Sequence, residues 1–376
     1  MTSRERVLTA LKHQQPDRVP KDLGGVVTGI HRDAYNRLLE LLGIEDDTEI
    51  MDVKQQLAKP CEEVLERLGI DTRYVFSGRR AGYQAKMQED EKRYWYVDEW
   101  GIEWTMPKDS PLYFDMTKHP LQHLDTEDLK QYPWPDMTDP GLTEGVSERA
   151  RDLHENTDYA VVTFASSAFL EFGWYLRGFE DFLMDLVVNE NFMNALLDKI
   201  MEMWQTQWER HLQALGDNVD VVQMAGDLGH QGGTLISREL YEKYFKPRQK
   251  ELVRFVRDRT DAFIFWHTCG SVYDFIPDLI EVGIDILNPV QVSARDMEPE
   301  RLKEEFGDHL SFWGGVDTQS LLPNGTPEQV AEETRRTIDI LGREGGYVLN
   351  SVHNIQADVP ADNILAMFDA AGEPPT

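Results

Sequence analysis

The chain has 376 residues, 41% hydrophobic and 28% charged, which is enough apolar material for a sizeable core and unlike a disordered or collagen-like composition. Lys and Arg number 38 against 68 Asp and Glu, a formal net charge of −30, and such a field repels nucleic acid and anionic membranes. Two cysteines, Cys61 and Cys269, in unrelated contexts exclude a disulfide scaffold, and with no secretory h-region and no long apolar run the expected compartment is the cytoplasm.

In chain order, Ser3 to His13 reads as a short starting helix with Thr2 or Ser3 as its cap. After Pro16–Pro20, apolar runs of strand length alternate with amphipathic stretches. Eight strands are expected, near Leu23–Gly29, Thr72–Ser77, Ala160–Ala165, Val219–Ala225, Ala262–His267, Ile284–Val290, Leu310–Val316 and Tyr347–Val352. Helical patterns fall between them at Phe179–Leu215, Ser237–Arg257, Val272–Val282 and Pro327–Leu341, the last with Thr326 as cap and Pro327 at its first position. The βα order predicts an α/β fold, a (β/α)8 TIM barrel with an N-terminal helical segment. Arg93–Met106, RYWYVDEWGIEWTM, alternates around Asp98-Glu99-Trp100-Gly101 as an inserted β-hairpin. The segment from there to Ser147 reads as an irregular surface connection. One domain over residues 1–376 is expected, with an insertion at about 85–150.

In a parallel barrel the chemistry gathers where the strands end. Those ends read QMAGDLGHQ from Gln223, His267-Thr268-Cys269-Gly270, Asn288-Pro289-Val290-Gln291, Gly314-Gly315-Val316-Asp317, and Asn350-Ser351-Val352-His353-Asn354. Turn chemistry explains some of these polar residues, but not the clustering at successive strands. His267 and Cys269 lie two apart, so as strand residues they face the same side and can share one ion. Zinc takes imidazole and thiolate together, and a catalytic site needs a third protein ligand, for which His353, Asp227, Asp317 and His230 are the candidates. H-x-C alone is a weak signal: a buried structural cysteine beside a hydrogen-bonded histidine gives the same pattern, and so does a nucleophilic Cys269 with His267 or His353 as its base. Cys61 reads as helix packing. Asp227 is a turn aspartate, a ligand-orienting group or a substrate contact, and Gln223, Asn288, Gln291, Asp317, Gln319 and Gln356 are candidate polar contacts to substrate. Asp317 follows two glycines on the seventh strand, where barrels often hold phosphate; an acid there argues against a phosphate ligand.

With RERVLTALKHQQPDRVP, GDLGHQGG, ISRELYEKYFKPR, FWHTCGSVYDFIPDLIEVGIDILNPVQ, LSFWGGVDTQSLLPNGTPEQV and GGYVLNSVHNIQADVPADNILAMF, the chain resembles the uroporphyrinogen decarboxylase superfamily, and within it the zinc- and cobamide-dependent methyltransferases. The resemblance implies a (β/α)8 barrel. The arginine-rich RQAGRY-like motif of the true decarboxylases is absent from VPKDLGGVVTGIH, which argues against porphyrinogen decarboxylation. In the methyltransferase branch the H-x-C pair and a later cysteine bind zinc; His267 and Cys269 match the pair, and His353 stands where the later cysteine would fall.

The resemblance therefore implies a methyltransferase moving a methyl group between a small-molecule thiol or methyl ether and a corrinoid (cobalamin) carried by a partner protein. Zn²⁺ would sit on His267, Cys269 and His353, with Asp227 and His353 as catalytic groups. The expected partners are a small-molecule methyl donor or acceptor and a corrinoid protein, with a homodimer as a further option. The alternatives are a metal-free decarboxylase of a small carboxylated substrate, with Asp227 and His353 handling protons, and a barrel that binds a corrinoid or metabolite without turnover.

Overall fold

The computed structural model describes residues 1–372. Seven parallel strands form a curled sheet in the order Tyr347–Val348, Ser311–Trp313, Ile286–Asn288, Phe263–His267, Val221–Ala225, Ala160–Phe164, Thr72–Phe76. Lys21 closes it. It bridges Leu349 in parallel on one side, and on the other its carbonyl accepts the Asp71 N–H at 2.9 Å. The first stave thus lies around Lys21, and the expected strand Leu23–Gly29 is a loop. Gly24, at φ 118°, turns the backbone out of the extended region, and its N–H bonds the Thr28 carbonyl at 3.0 Å.

Strand parity separates two cores. Val162, Val221, Phe265, Ile286, Trp313 and Val348 face inward and pack with Val7 and Leu11 of the N-terminal helix Ser3–Leu11, which plugs the lower end. Their neighbours Val161, Val222, Ile264, Trp266, Leu287 and Phe312 pack outward against the helices. Burial on both faces explains the near-continuous apolar strands. Buried Asp22 joins the staves, accepting from Tyr74 Oη at 3.0 Å, Trp313 Nε1 at 2.9 Å and Thr72 Oγ1.

The starting helix carries a Thr2–Glu5 capping box, and Pro327–Leu341 spans the expected residues with a Thr326–Gln329 box. Two long helical patterns are interrupted. Phe179–Leu215 divides at Asn189 into Phe179–Val188 and Glu190–Leu215. Ser237–Arg257 contains a wide π turn at Tyr241–Phe245 just before Lys246–Arg257, where Pro247 has no N–H to give the preceding turn.

The hairpin exists, as Arg93–Val97 and Glu103–Pro107, and belongs to a four-stranded antiparallel sheet with Gln88–Glu89 and Asp115–Lys118. Part of the stretch expected to be irregular is therefore an edge strand. Among the described residues no helix is long and apolar enough to cross a membrane.

Candidate functional site

His267 ends the strand Phe263–His267. Phe265 faces the barrel interior, so parity aims His267 into the mouth above it. In the pairing row it lies between Ala225 and Asn288. Asn288 Oδ1 stands 2.6 Å from His267 Nδ1, and Asn288 Nδ2 donates to the Trp313 carbonyl at 2.9 Å. Because that amide is committed as a donor elsewhere, its oxygen takes the proton of Nδ1, which leaves Nε2 unprotonated and turned toward Cys269 Sγ at 3.3 Å.

Cys269 sits on a loop held at three points. Asp227 Oδ1 accepts the Cys269 N–H at 2.8 Å, Gln291 Oε1 accepts the Gly270 N–H at 2.6 Å, and Thr268 Oγ1 accepts the Leu228 N–H at 3.0 Å. Gly270 has φ 88°, and a Cβ there would come within 2.4 Å of the Gly229 and His230 backbone, so only glycine allows the two loops to meet. His353 arrives from beyond the last strand, and its ring centroid lies 5.2 Å from that of His267 at 69°. The ligand atoms of His267, Cys269 and His353 lie within 4.8 Å of one another.

Burial sets the electrostatics. It pushes His267 down to about 4, and it pushes His353 down to about 4 with help from the neighbouring His267, so both rings are neutral at neutral pH. Burial, with Asp227 and Glu171 nearby, pushes the Cys269 thiol well up. A dication is what would deprotonate that thiol. Two neutral imidazoles, one oriented by an outer hydrogen bond, and one thiol form a donor set that fits zinc.

The cluster opens on a cavity of about 540 Å³ lined in part by Asp227, His267, His353, Asn354 and Gln356. Its other walls come from the inserted hairpin, through Asp98, Trp100, Ile102 and Trp104, and from the helix Leu170–Arg177, through Glu171, Phe172 and Tyr175. Glu171 bonds the Tyr175 hydroxyl and accepts from the Asp227 N–H, and burial with the nearby Asp227 charge pushes its carboxyl up to about 7.

Not every candidate reaches the cavity. Gln223 is fully buried within the barrel, donating to Tyr74 Oη at 3.1 Å. Asn288 and Gln291 support His267 and Gly270, as described. Asp317 accepts three successive N–H groups, from Gln319, Ser320 and Leu321, at 3.0 Å each, and lines a separate cleft. His230 is exposed on a two-residue strand. Glu171, Tyr175, Trp100 and Lys54 were not anticipated, because they lie on a helix, a hairpin tip and a loop away from the strand ends. A signal for Glu171 existed: it is an acid in the otherwise apolar run Phe169–Tyr175.

Residues 98–374 match the uroporphyrinogen decarboxylase (URO-D) family. Over 142 residues, 38% of this chain, it is 27% identical to a methylated-thiol–coenzyme M methyltransferase of Methanosarcina mazei. Over 138 residues it is 29% identical to a methylcobamide:CoM methyltransferase of Methanosarcina acetivorans. The matched segments span 35% and 38% of those relatives' lengths. A solved methyltransferase from Methanosarcina mazei superposes over 99% of this chain and 98% of its own, with a TM-score of 0.63 at 17% identity, a likeness of fold.

Proposed function

The chain belongs to the uroporphyrinogen decarboxylase family, and from that premise we propose that it is a zinc-dependent methyltransferase moving a methyl group between a small-molecule thiol or methyl ether and a corrinoid carried by a partner protein. The observation that carries this reading is the meeting of His267, Cys269 and His353 beside a cavity that His267 and His353 line. The names of its relatives, methyltransferases acting with coenzyme M and methylcobamide, support it. The unit that performs it is the whole chain, with residues of about 85–150 inserted to supply one wall of the cavity.

His267, Cys269 and His353 would hold the ion. When bound, zinc supplies a Lewis acid with an open position, which lowers the pKa of a thiol or polarises the oxygen of a methyl ether. The chain's own residues do the remainder. Asn288 fixes the His267 tautomer, and Asp227 and Gln291 hold the Cys269 loop still, so the donors are in place before substrate arrives. Glu171, protonated up to about pH 7, can keep a hydrogen on the substrate side of the site. Trp100 and Phe172 add apolar surface to the cavity wall.

Elemental analysis of protein purified without added metal tests the metal. About one zinc per chain, lost in both Cys269→Ala and His353→Ala, supports three ligands. Loss in Cys269→Ala alone transfers the third place to Asp227 or another group, and no metal in any preparation rejects the mechanism in favour of a metal-free decarboxylase. Methyl transfer to free cob(I)alamin tests the reaction.

A further inference from the structure

The cavity carries an unusual balance of charge for a small-molecule site. Asp52, Asp98, Asp115, Glu171 and Asp227 line it, and among the described residues no arginine does and Lys54 is its one lysine. A zinc ion on the cluster would be balanced by the Cys269 thiolate and Asp227. Asp52, Asp98 and Asp115 would then still outnumber Lys54.

The walls between these carboxyls are aromatic faces. Trp100 meets Phe172 at 4.8 Å and Trp204 at 5.8 Å, each at 77°, and Phe172 and Trp204 stand 4.9 Å apart. These edge-to-face contacts hold the Trp100 indole in place at the cavity wall, and an indole is the ring that attracts a cation best. The chain already places one such cation in the cavity. The Lys54 ammonium lies 4.0 Å from the centroid of Trp104 and 3.7 Å from Asp98 Oδ2. An ammonium is therefore accommodated here by a ring face and a carboxylate together. A sulfonate or carboxylate tail would instead face three acids with one lysine already engaged.

We infer that the substrate of this site bears an alkylammonium group, seated on the Trp100–Trp104 wall near Asp52 and Asp98, with the thiol or ether heteroatom directed to His267, Cys269 and His353. The heteroatom's placement rests on the function proposed above; the ammonium's does not, because the hairpin and the helix Leu170–Arg177 form its seat without any metal.

Metal-free protein can therefore test it. Binding of choline, followed by calorimetry and by tryptophan fluorescence, reads the ammonium seat alone. Cysteamine and 2-mercaptoethanesulfonate, two thiols of similar size and opposite tail charge, read the preference in zinc-loaded protein. Choline should bind and perturb the fluorescence, and cysteamine should outbind the sulfonate by about tenfold or more. Trp100→Leu and Asp52→Asn should each weaken choline several-fold while their circular dichroism stays unchanged. Lys54→Met should strengthen choline binding by vacating a ring face, whereas in an anion pocket the same change would abolish binding of the sulfonate. Absence of choline binding to the folded wild-type protein, equal or tighter binding of the sulfonate thiol, or weakened choline binding in Lys54→Met would overturn the inference. The choline results depend neither on zinc content nor on methyl transfer to cob(I)alamin, so either reading can fail alone.

Discussion

His267 illustrates how much of the site one side chain can hold. Its position follows from alternation along an apolar strand, but its tautomer is set by Asn288, 21 residues later in the sequence. Outer-sphere partners of this kind typically contribute 10- to 100-fold to metal affinity. Asn288→Ala should therefore retain one zinc at saturation while losing affinity by about that factor in a chelator competition. Glu171 gives a second expectation. Its folded-state pKa of about 7 exceeds the roughly 4.3 of an unfolded glutamate, so between those values the folded protein keeps a proton that the unfolded chain releases. The contribution to stability is full below about pH 4.3 and is lost as pH rises through about 7. In metal-free protein, Glu171→Gln should remove this component, and denaturant midpoints measured from about pH 5 to 8 should decline less than in wild type.

At the scale of elements, the site depends on a short helix and a hairpin that approach the barrel mouth from outside it. The helix Leu170–Arg177 can pack against Phe179–Val188 because residue 173 is glycine: a Cβ there would lie 2.2 Å from Phe182 Cε2, in a fully buried ring. Gly173→Ala must push the two helices apart, and overpacking of this kind costs about 1–3 kcal/mol. The same movement displaces Glu171 and Phe172, so the variant should lose melting temperature and choline affinity together. The hairpin is held by Asp98, which accepts from the N–H groups of Trp100 and Ile102 and from Trp104 Nε1 at 2.8 to 3.0 Å. The sequence shows that turn through Asp98 and Gly101. It does not show that the turn reaches across more than a hundred residues to face His267, since no local pattern encodes that contact.

Across the whole molecule, the two ends of the barrel have different duties. Below, Asp71 is fully buried and receives Arg6 at 2.7 Å and Arg18 at 2.6 Å, tying the plugging helix and the first stave to the second. Removing the charge of a buried partner typically costs about 3–5 kcal/mol. Asp71→Asn should therefore unfold at markedly lower denaturant, and the folded fraction should keep wild-type zinc content and cavity affinity because the mouth lies at the opposite end.

The βα alternation, the seven later staves, the starting helix and the H-x-C pair were all legible in the sequence, because strand and helix periodicities and the spacing of two ligands are local properties of the chain. The first stave was misplaced by a few residues because Val26 and Val27 read as a strand although the Gly24-Gly25 turn sends them into the mouth. Asn288, Gln291 and Asp317 share the polar, strand-end character of His267, and only the positions of their neighbours distinguish a residue that orients a side chain or caps a helix from one that faces the cavity. The nearness of His353 to Cys269, the paired carboxyls Glu171 and Asp227, and the aromatic wall with its lysine all depend on segments far apart in the chain. Closure of the barrel and docking of the insertion bring them together, and burial in that shared space, absent from any one segment, sets their charge.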